Sequence, residues 1–127
     1  MKSTLKTFAL IGLLGLSSLA SALEIQAYSP QAFAALQVAN QPVALHFHAD
    51  WCSTCKAQEK IFKGWKGDAS VPGTLLIVNY DQERVLRREM KVRMQSTVVS
   101  FKGTQEKARV AGDTDPQVLK GVLEAAR

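Results

Sequence analysis

The sequence has few cysteines and no apolar run long enough to cross a membrane. Its 127 residues include two cysteines, Cys52 and Cys55. The N-terminal apolar stretch, residues 8–16, is shorter than the about 20 residues that a membrane-spanning helix needs. No segment repeats and none is of low complexity. These absences argue against stable membrane insertion and against a repeat protein, and they leave each cysteine only the other as a partner.

Charge of neither sign dominates once the N-terminal residues are set aside. Lys2 and Lys6, the apolar residues 8–16 and Ala20-Ser21-Ala22 form the three parts of an export signal. We expect a signal peptide of residues 1–22, cleavage after Ala22 and export to a bacterial periplasm. Removing two of the 16 basic residues leaves 14 against 11 acidic ones, a net charge near +3. That weak charge predicts no nucleic-acid partner.

Residues 23–127 are expected to form one domain in which strands and helices alternate. The predicted strands cover residues 24–28, 43–48, 74–80, 97–101 and 107–111, and the helices 30–39, 52–65, 81–90 and a last segment after Pro116. This order, βαβαβαββα, indicates an α/β fold with a parallel core and a terminal antiparallel hairpin. In the third helix, Val85, Leu86 and Met90 are predicted to face inward.

The two cysteines follow an apolar strand and stand at the beginning of a helical pattern. A disulfide across two intervening residues constrains the unfolded chain little, so the spacing indicates redox chemistry rather than a structural staple. At a helix N-terminus, unpaired N–H groups favour the thiolate form of Cys52. Cys52 is therefore predicted to attack a substrate disulfide, and Cys55 to resolve the mixed disulfide.

Several motifs together resemble the thioredoxin family, and within it the C-terminal periplasmic domain of DsbD-type thiol:disulfide interchange proteins. They are Ala49-Asp50-Trp51-Cys52-x-x-Cys55-Lys56, Glu59 one turn later, Asn79-Tyr80-Asp81 and Ala111-Gly112. The resemblance implies a thioredoxin fold, a central mixed sheet flanked by helices, and no cofactor beyond a redox-active Cys52–Cys55 disulfide. It also implies protein thiols and disulfides as partners and a membrane-embedded thiol-transporting reductase as electron donor.

Three positions depart from the family pattern. Ser96 stands where the family has a cis-proline, and a cis bond before a residue other than proline costs about 2.5–4 kcal/mol. We therefore expect a trans Gln95–Ser96 bond and an altered substrate groove. His46 replaces the family's buried aspartate, and Ser53-Thr54 replaces the Gly-Pro dipeptide between the cysteines.

Cys55 needs a proton acceptor when it attacks, and two residues are candidates. Glu59 lies one turn after Cys55 and is expected to lean back toward it. His46 lies on the strand beneath, and an imidazole accepts a proton near neutral pH. The alternatives are a solvated glutamate and a packed histidine with a satisfied hydrogen bond. His48, on the same face as His46, is a further candidate for tuning the thiols.

Four residues are assigned to substrate binding: Trp51 as contact area, and Gln95, Ser96 and Thr97 as the lining of the groove. His46, His48, Cys52 and Cys55 could also hold a metal ion, but their H-x-H-x3-C-x2-C spacing fits no closed zinc site. No metal site is therefore predicted.

The sequence as a whole predicts an exported thiol-disulfide oxidoreductase that reduces protein disulfides or relays electrons to them. Reduction is favoured because Ser53-Thr54 lacks the histidine expected between the cysteines of strong oxidants. The alternative is a non-catalytic binding module of the same fold, whose modified groove holds a metal or a partner chain.

Overall fold

The computed structural model describes residues 22–127, which form five strands and four helices. The predicted signal peptide, apart from Ala22, lies outside these residues, and its cleavage stays a prediction. The strands are β1 (Glu24–Ala27), β2 (Pro42–His48), β3 (Thr74–Asn79), β4 (Thr97–Lys102) and β5 (Gln105–Ala111). The helices are α1 (Pro30–Val38), α2 (Ser53–Gly64), α3 (Arg84–Glu89) and α4 (Pro116–Glu124). The predicted order βαβαβαββα is confirmed.

The strands form one mixed sheet in the order β1-β3-β2-β4-β5. β3 pairs in parallel with β1 and β2, while β4 pairs antiparallel with β2 and β5. This is the parallel core with an antiparallel hairpin that the sequence predicts. β2 is the central strand, so the chain that leaves its carboxyl end is held by neighbours on both sides.

Each face of the sheet supports its own hydrophobic core. Alternate residues of β2 point to opposite faces, as the period of a strand requires. Val43, Leu45 and Phe47 pack on one face with side chains of α1 and α3. Ala44 packs on the other face with Phe62 and with side chains of α4. The predicted division of β2 into two faces is therefore confirmed.

Helix α3 is shorter than predicted, and one of its side chains lies on the wrong side. The side-chain oxygen of Asn79 accepts hydrogen bonds from the backbone N–H groups of Asp81 and Gln82, at 3.1 and 3.2 Å. This turn competes with a helical conformation, so α3 begins only at Arg84. Leu86 is buried, but Val85 is 61% exposed, so its predicted inward position was wrong.

In residues 22–127, no helix combines the length and the apolar character that crossing a bilayer requires.

Candidate active site

The cysteine pair lies where β2 ends and α2 begins. Cys52 is the N-cap of α2, with extended backbone, and its sulfur accepts a hydrogen bond from the backbone N–H of Cys55 at 3.0 Å. Cys52 and Cys55 are joined by a disulfide. An N-cap sulfur that already accepts a backbone N–H is positioned to be stabilised as a thiolate once the disulfide is reduced.

Both cysteines are buried, and Cys55 is the more enclosed of the two. Cys52 keeps 4% of its surface exposed, whereas Cys55 keeps none. The two pack with Ala49 and against Tyr80. The sulfur of Cys55 lies 3.8 Å from the carbonyl oxygen of Phe47 on β2. A partner that approaches from solvent can therefore reach Cys52 before Cys55.

His46 lies in the core, on the face of the sheet that α2 covers. It is fully buried, and its ring packs edge-on against Phe62, with centroids 5.1 Å apart. Its Nε2 atom is 2.8 Å from Oε1 of Gln58, while Nδ1 is buried with no hydrogen-bond partner. Burial lowers the pKa of His46 to about 4, against the opposing effect of its hydrogen bond to the Gln58 side-chain oxygen. His46 is therefore neutral at neutral pH. The expectation that its imidazole accepts a proton near neutral pH was wrong on this point, because burial makes it a weaker base than an exposed histidine; its role beside the cysteines stays a prediction.

Gln58 is the residue of this site that sequence reasoning missed. It is fully buried on α2, and its Nε2 donates to two backbone carbonyls, Ser96 O at 3.0 Å and Asp113 O at 2.8 Å. One side chain thus joins α2, His46 on β2, the loop before β4 and the loop after β5. The available signal was its position three residues after Cys55, which puts both on one face of the helix.

Glu59 contacts His48 and Lys63. Its Oε1 forms a salt bridge with the Lys63 ammonium at 3.0 Å, and its Oε2 lies 3.4 Å from Nε2 of His48. The hydrogen bond from Lys63 is the largest effect on the pKa of Glu59 and lowers it. His48 also faces Asp50, with 3.8 Å between Nδ1 and Oδ1. The roles predicted for Glu59 and His48 stay predictions.

The loop before β4 is held by its backbone at Ser96. The peptide bonds of the described residues are all trans, so the expected trans Gln95–Ser96 bond is confirmed. Ser96 has a φ of 62°, the left-handed region, which costs a residue with a side chain about 1–2 kcal/mol. Its N–H donates to Phe47 O at 2.8 Å, and its carbonyl accepts from Gly112 N at 3.1 Å as well as from Gln58.

The three loop residues assigned to substrate binding differ in exposure. Ser96 and Thr97 are buried, and Gln95 is half-buried. The hydroxyl of Thr97 donates to Met94 O at 2.7 Å, and that of Ser96 donates to Gln95 O. Both hydroxyls are therefore used inside the loop, and the assignment of the three residues to substrate binding stays a prediction.

Trp51 is the large exposed side chain beside the cysteines. It is 63% exposed, and its indole N–H donates to Asp81 Oδ2 at 2.8 Å. The Trp51 ring packs edge-on against the Tyr80 ring. The Arg87 guanidinium lies over the Tyr80 ring, 3.8 Å from its centroid. A cleft of about 450 Å³ adjoins Trp51 and His48. A larger hollow of about 510 Å³ lies near β1, and neither cysteine lines either cavity.

The four-residue metal set considered from the sequence does not form a site in this arrangement. The two sulfurs are bonded to each other, and Nε2 of His46 is bound to Gln58. Within residues 22–127, no three side chains of the His, Cys, Asp or Glu type are grouped as metal ligands would be.

The family model described as thioredoxin matches residues 24–125. A thioredoxin from Neurospora crassa is 30% identical over 82 residues, which are 63% of this chain and 65% of that protein. The match thus spans just under two thirds of the relative's length.

Two solved structures extend the likeness over most of the fold. The Trxlp protein of Edwardsiella tarda EIB202 is 30% identical, with a TM-score of 0.74, over 79% of this chain and 98% of that one. Malassezia sympodialis thioredoxin is 25% identical, with a TM-score of 0.68, over 80% of this chain and 91% of that one.

Buried His46 predicts a loss of stability in acid. The unfolded chain binds a proton at His46 near pH 6.5, and the folded chain only near pH 4, so stability falls as the pH decreases through this window. The difference corresponds to about 3 kcal/mol of unfolding free energy. Urea unfolding at pH 7 and pH 4.5 should show about 2 kcal/mol of this difference, because the two pH values do not span the whole window. His46→Gln should reduce this pH dependence of the unfolding free energy, and the control His48→Gln should leave it unchanged. The same pH dependence in His46→Gln and in the unsubstituted protein would show that His46 is not its source.

Ser96 predicts that proline is harmful at this position. Ser96→Pro removes the N–H that donates to Phe47 O and cannot adopt a positive φ. We expect the unfolding free energy to fall by about 2 kcal/mol or more. Ser96→Gly, the matched control, keeps the N–H and accepts this φ, so it should stay within about 1 kcal/mol of the unsubstituted protein. A Ser96→Pro variant of undiminished stability would show that the loop takes another conformation.

Proposed function

We propose that this chain, which belongs to the thioredoxin family, is a thiol-disulfide oxidoreductase that reduces protein disulfides through Cys52 and Cys55. The observation that supports this proposal most directly is the disulfide at the N-terminus of α2, with Cys52 as N-cap and Cys55 fully enclosed. Such a pair divides the reaction into an attack by the accessible sulfur and a resolution by the enclosed one.

In the proposed cycle the reduced protein carries two thiols. The Cys52 thiolate attacks one sulfur of a substrate disulfide, a bond forms between Cys52 and that sulfur, and the other substrate sulfur leaves as a thiolate. Cys55 then loses its proton and attacks Cys52. The Cys52–Cys55 bond forms, the bond to substrate breaks, and the second substrate thiol leaves. Two electrons have passed to the substrate.

Resolution requires that the Cys55 proton be accepted. Glu59 and His46 remain the proposed acceptors, and the environments of the two differ. Glu59 is partly exposed and its pKa is lowered by Lys63, so it is ionised at neutral pH. His46 is neutral and carries a free ring nitrogen, and it places no negative charge near Cys55. A buried carboxylate in its place would raise the pKa of a neighbouring thiol.

The direction of electron flow is proposed to be reductive, as in DsbD-like interchange proteins. Each turnover leaves the Cys52–Cys55 disulfide, so the oxidised protein needs an electron donor. The proposed donor is a membrane-embedded thiol-transporting reductase, and the proposed partners on the other side are protein disulfides. Ser53-Thr54 between the cysteines supports this direction because neither residue can add a positive charge beside the Cys52 thiolate.

Turnover of insulin disulfides with dithiothreitol tests the activity. The protein should accelerate the reaction, and Cys52→Ser should abolish the acceleration. Cys55→Ser should accumulate a mixed disulfide on Cys52, because the resolving thiol is gone. Equilibration with glutathione should give a reduction potential nearer to the about −270 mV of thioredoxin than to the about −120 mV of a strong oxidant.

If the correctly folded, reduced protein does not accelerate insulin reduction, the result would instead support the binding-module alternative. The observation in favour of that alternative is the backbone of Ser96, whose N–H and carbonyl are both bound within the protein. A potential near that of the strong oxidants, with activity retained, would reverse only the proposed direction.

Export is a separate proposal, supported by the charged, apolar and small-residue segments of residues 1–22. Expression of the full chain in a Gram-negative bacterium should give a periplasmic protein whose N-terminus, read by mass spectrometry, is Leu23. Ala20→Leu together with Ala22→Leu should block this cleavage. An uncleaved protein in the cytoplasmic fraction would contradict the proposal.

A further inference from the structure

We infer that Gln58 is a positioning residue at this site. Its amide fixes the loops before β4 and after β5 against the helix that carries the cysteines, and it fixes His46 in one tautomer. The part of the inference that concerns reactivity rests on the proposed disulfide exchange, and the part that concerns the tautomer does not.

The orientation of the Gln58 amide follows from its partners. Two of its three contacts are backbone carbonyls, Ser96 O and Asp113 O, and a carbonyl can only accept a hydrogen bond. The NH2 group must therefore face both carbonyls, and it uses one N–H for each. The amide oxygen is then the atom left for His46, and it can only accept.

The tautomer of His46 follows from that orientation. Because the Gln58 oxygen accepts, Nε2 of His46 must carry the proton that lies on the 2.8 Å contact. A neutral imidazole has one N–H, so Nδ1 bears a lone pair, and this nitrogen is buried with no hydrogen-bond partner. The charged or titratable groups that bear on His46 are His48, on the same strand, and Glu59, on the helix packed above it.

The loops that Gln58 holds border the cysteine pair. Ser96 binds the same Phe47 carbonyl that lies 3.8 Å from the Cys55 sulfur. Asp113 directly follows Gly112, whose N–H donates to the Ser96 carbonyl. Gln58 is therefore the side chain that ties both loops to α2, three residues after Cys55. Without it, the Ser96 carbonyl keeps only the bond from Gly112, and the Asp113 carbonyl loses its partner on α2.

This arrangement predicts a difference between large and small substrates. A protein disulfide needs the loops as a docking surface, whereas a small aromatic disulfide needs only the Cys52 sulfur. Gln58→Met fills a similar volume but removes all three hydrogen bonds. It should lower kcat/KM for insulin about tenfold, because the loops that a protein substrate contacts are no longer tied to α2. The rate of the first thiolate release from 5,5′-dithiobis(2-nitrobenzoate) should stay within about twofold, because the Cys52 N-cap is unchanged.

The matched control is Gln31→Met, the same substitution at an exposed position on α1. It should leave both rates unchanged. A milder variant, Gln58→Asn, keeps an amide that is too short to reach all three partners and should give an intermediate insulin rate. Circular dichroism before each assay establishes that the variants are folded.

Nitrogen-15 NMR of the imidazole rings reads the tautomer without any activity assay. In the unsubstituted protein His46 should be protonated on Nε2, and Gln58→Met should shift the ring toward a mixture. An Nδ1–H tautomer in the unsubstituted protein would overturn the inference even if no Gln58 variant folded. Equal insulin rates for Gln58→Met and Gln31→Met would overturn its functional part. Failure of the unsubstituted protein with both substrates would contradict the proposed function and leave the tautomer result standing.

Discussion

Strand β2 is hydrogen-bonded on both of its edges, to β3 from Val43 to His48 and to β4 from Pro42 to Phe47. Its carboxyl end therefore has a fixed position, and the site is assembled around that end. The Phe47 carbonyl binds the Ser96 N–H and approaches the Cys55 sulfur. His46 and His48 project toward α2, while Phe47 anchors the strand in the opposite core. The chain that continues from this strand enters α2 at Cys52, so the paired strands of the sheet fix the position of the disulfide.

Serine at position 96 changes how the neighbouring loop is held. A proline ring fixes φ and has no N–H, whereas Ser96 has an N–H and uses it on Phe47. Its positive φ is unfavourable by about 1–2 kcal/mol, and the hydrogen bonds to its N–H and carbonyl offset this cost. Gln58 supplies one of those bonds from α2. The loop is thus fixed by a polar network rather than by a ring.

The sequence was informative wherever the pattern depended on local chemistry. Periodicity located all nine elements of the described chain, and the proline after Ser29 and after Asp115 marked two helix starts whose side-chain caps are present. The cysteine spacing located the site. Two features depended on contacts distant in the sequence or on competing turns. Asn79 delayed α3, and Gln58 has partners 12, 38 and 55 residues away.

Gln58 illustrates why such residues escape sequence reasoning. A glutamine in an amphipathic helix is ordinarily expected on the solvent face. Its spacing from Cys55 indicates a shared helix face, but it does not identify the His46, Ser96 and Asp113 atoms that bind the amide. For Glu59, its neighbour, the spacing predicts a side chain near Cys55, and it does not indicate the contacts with Lys63 and His48.

Tyr80 has the cysteine cluster on one side and the Arg87 guanidinium against its ring. A guanidinium does not lose its proton in proteins, so this positive charge is present at every pH at which the fold survives. One positive charge near the sulfur pair is therefore independent of pH, and the Tyr80 ring lies between that charge and the cysteine cluster.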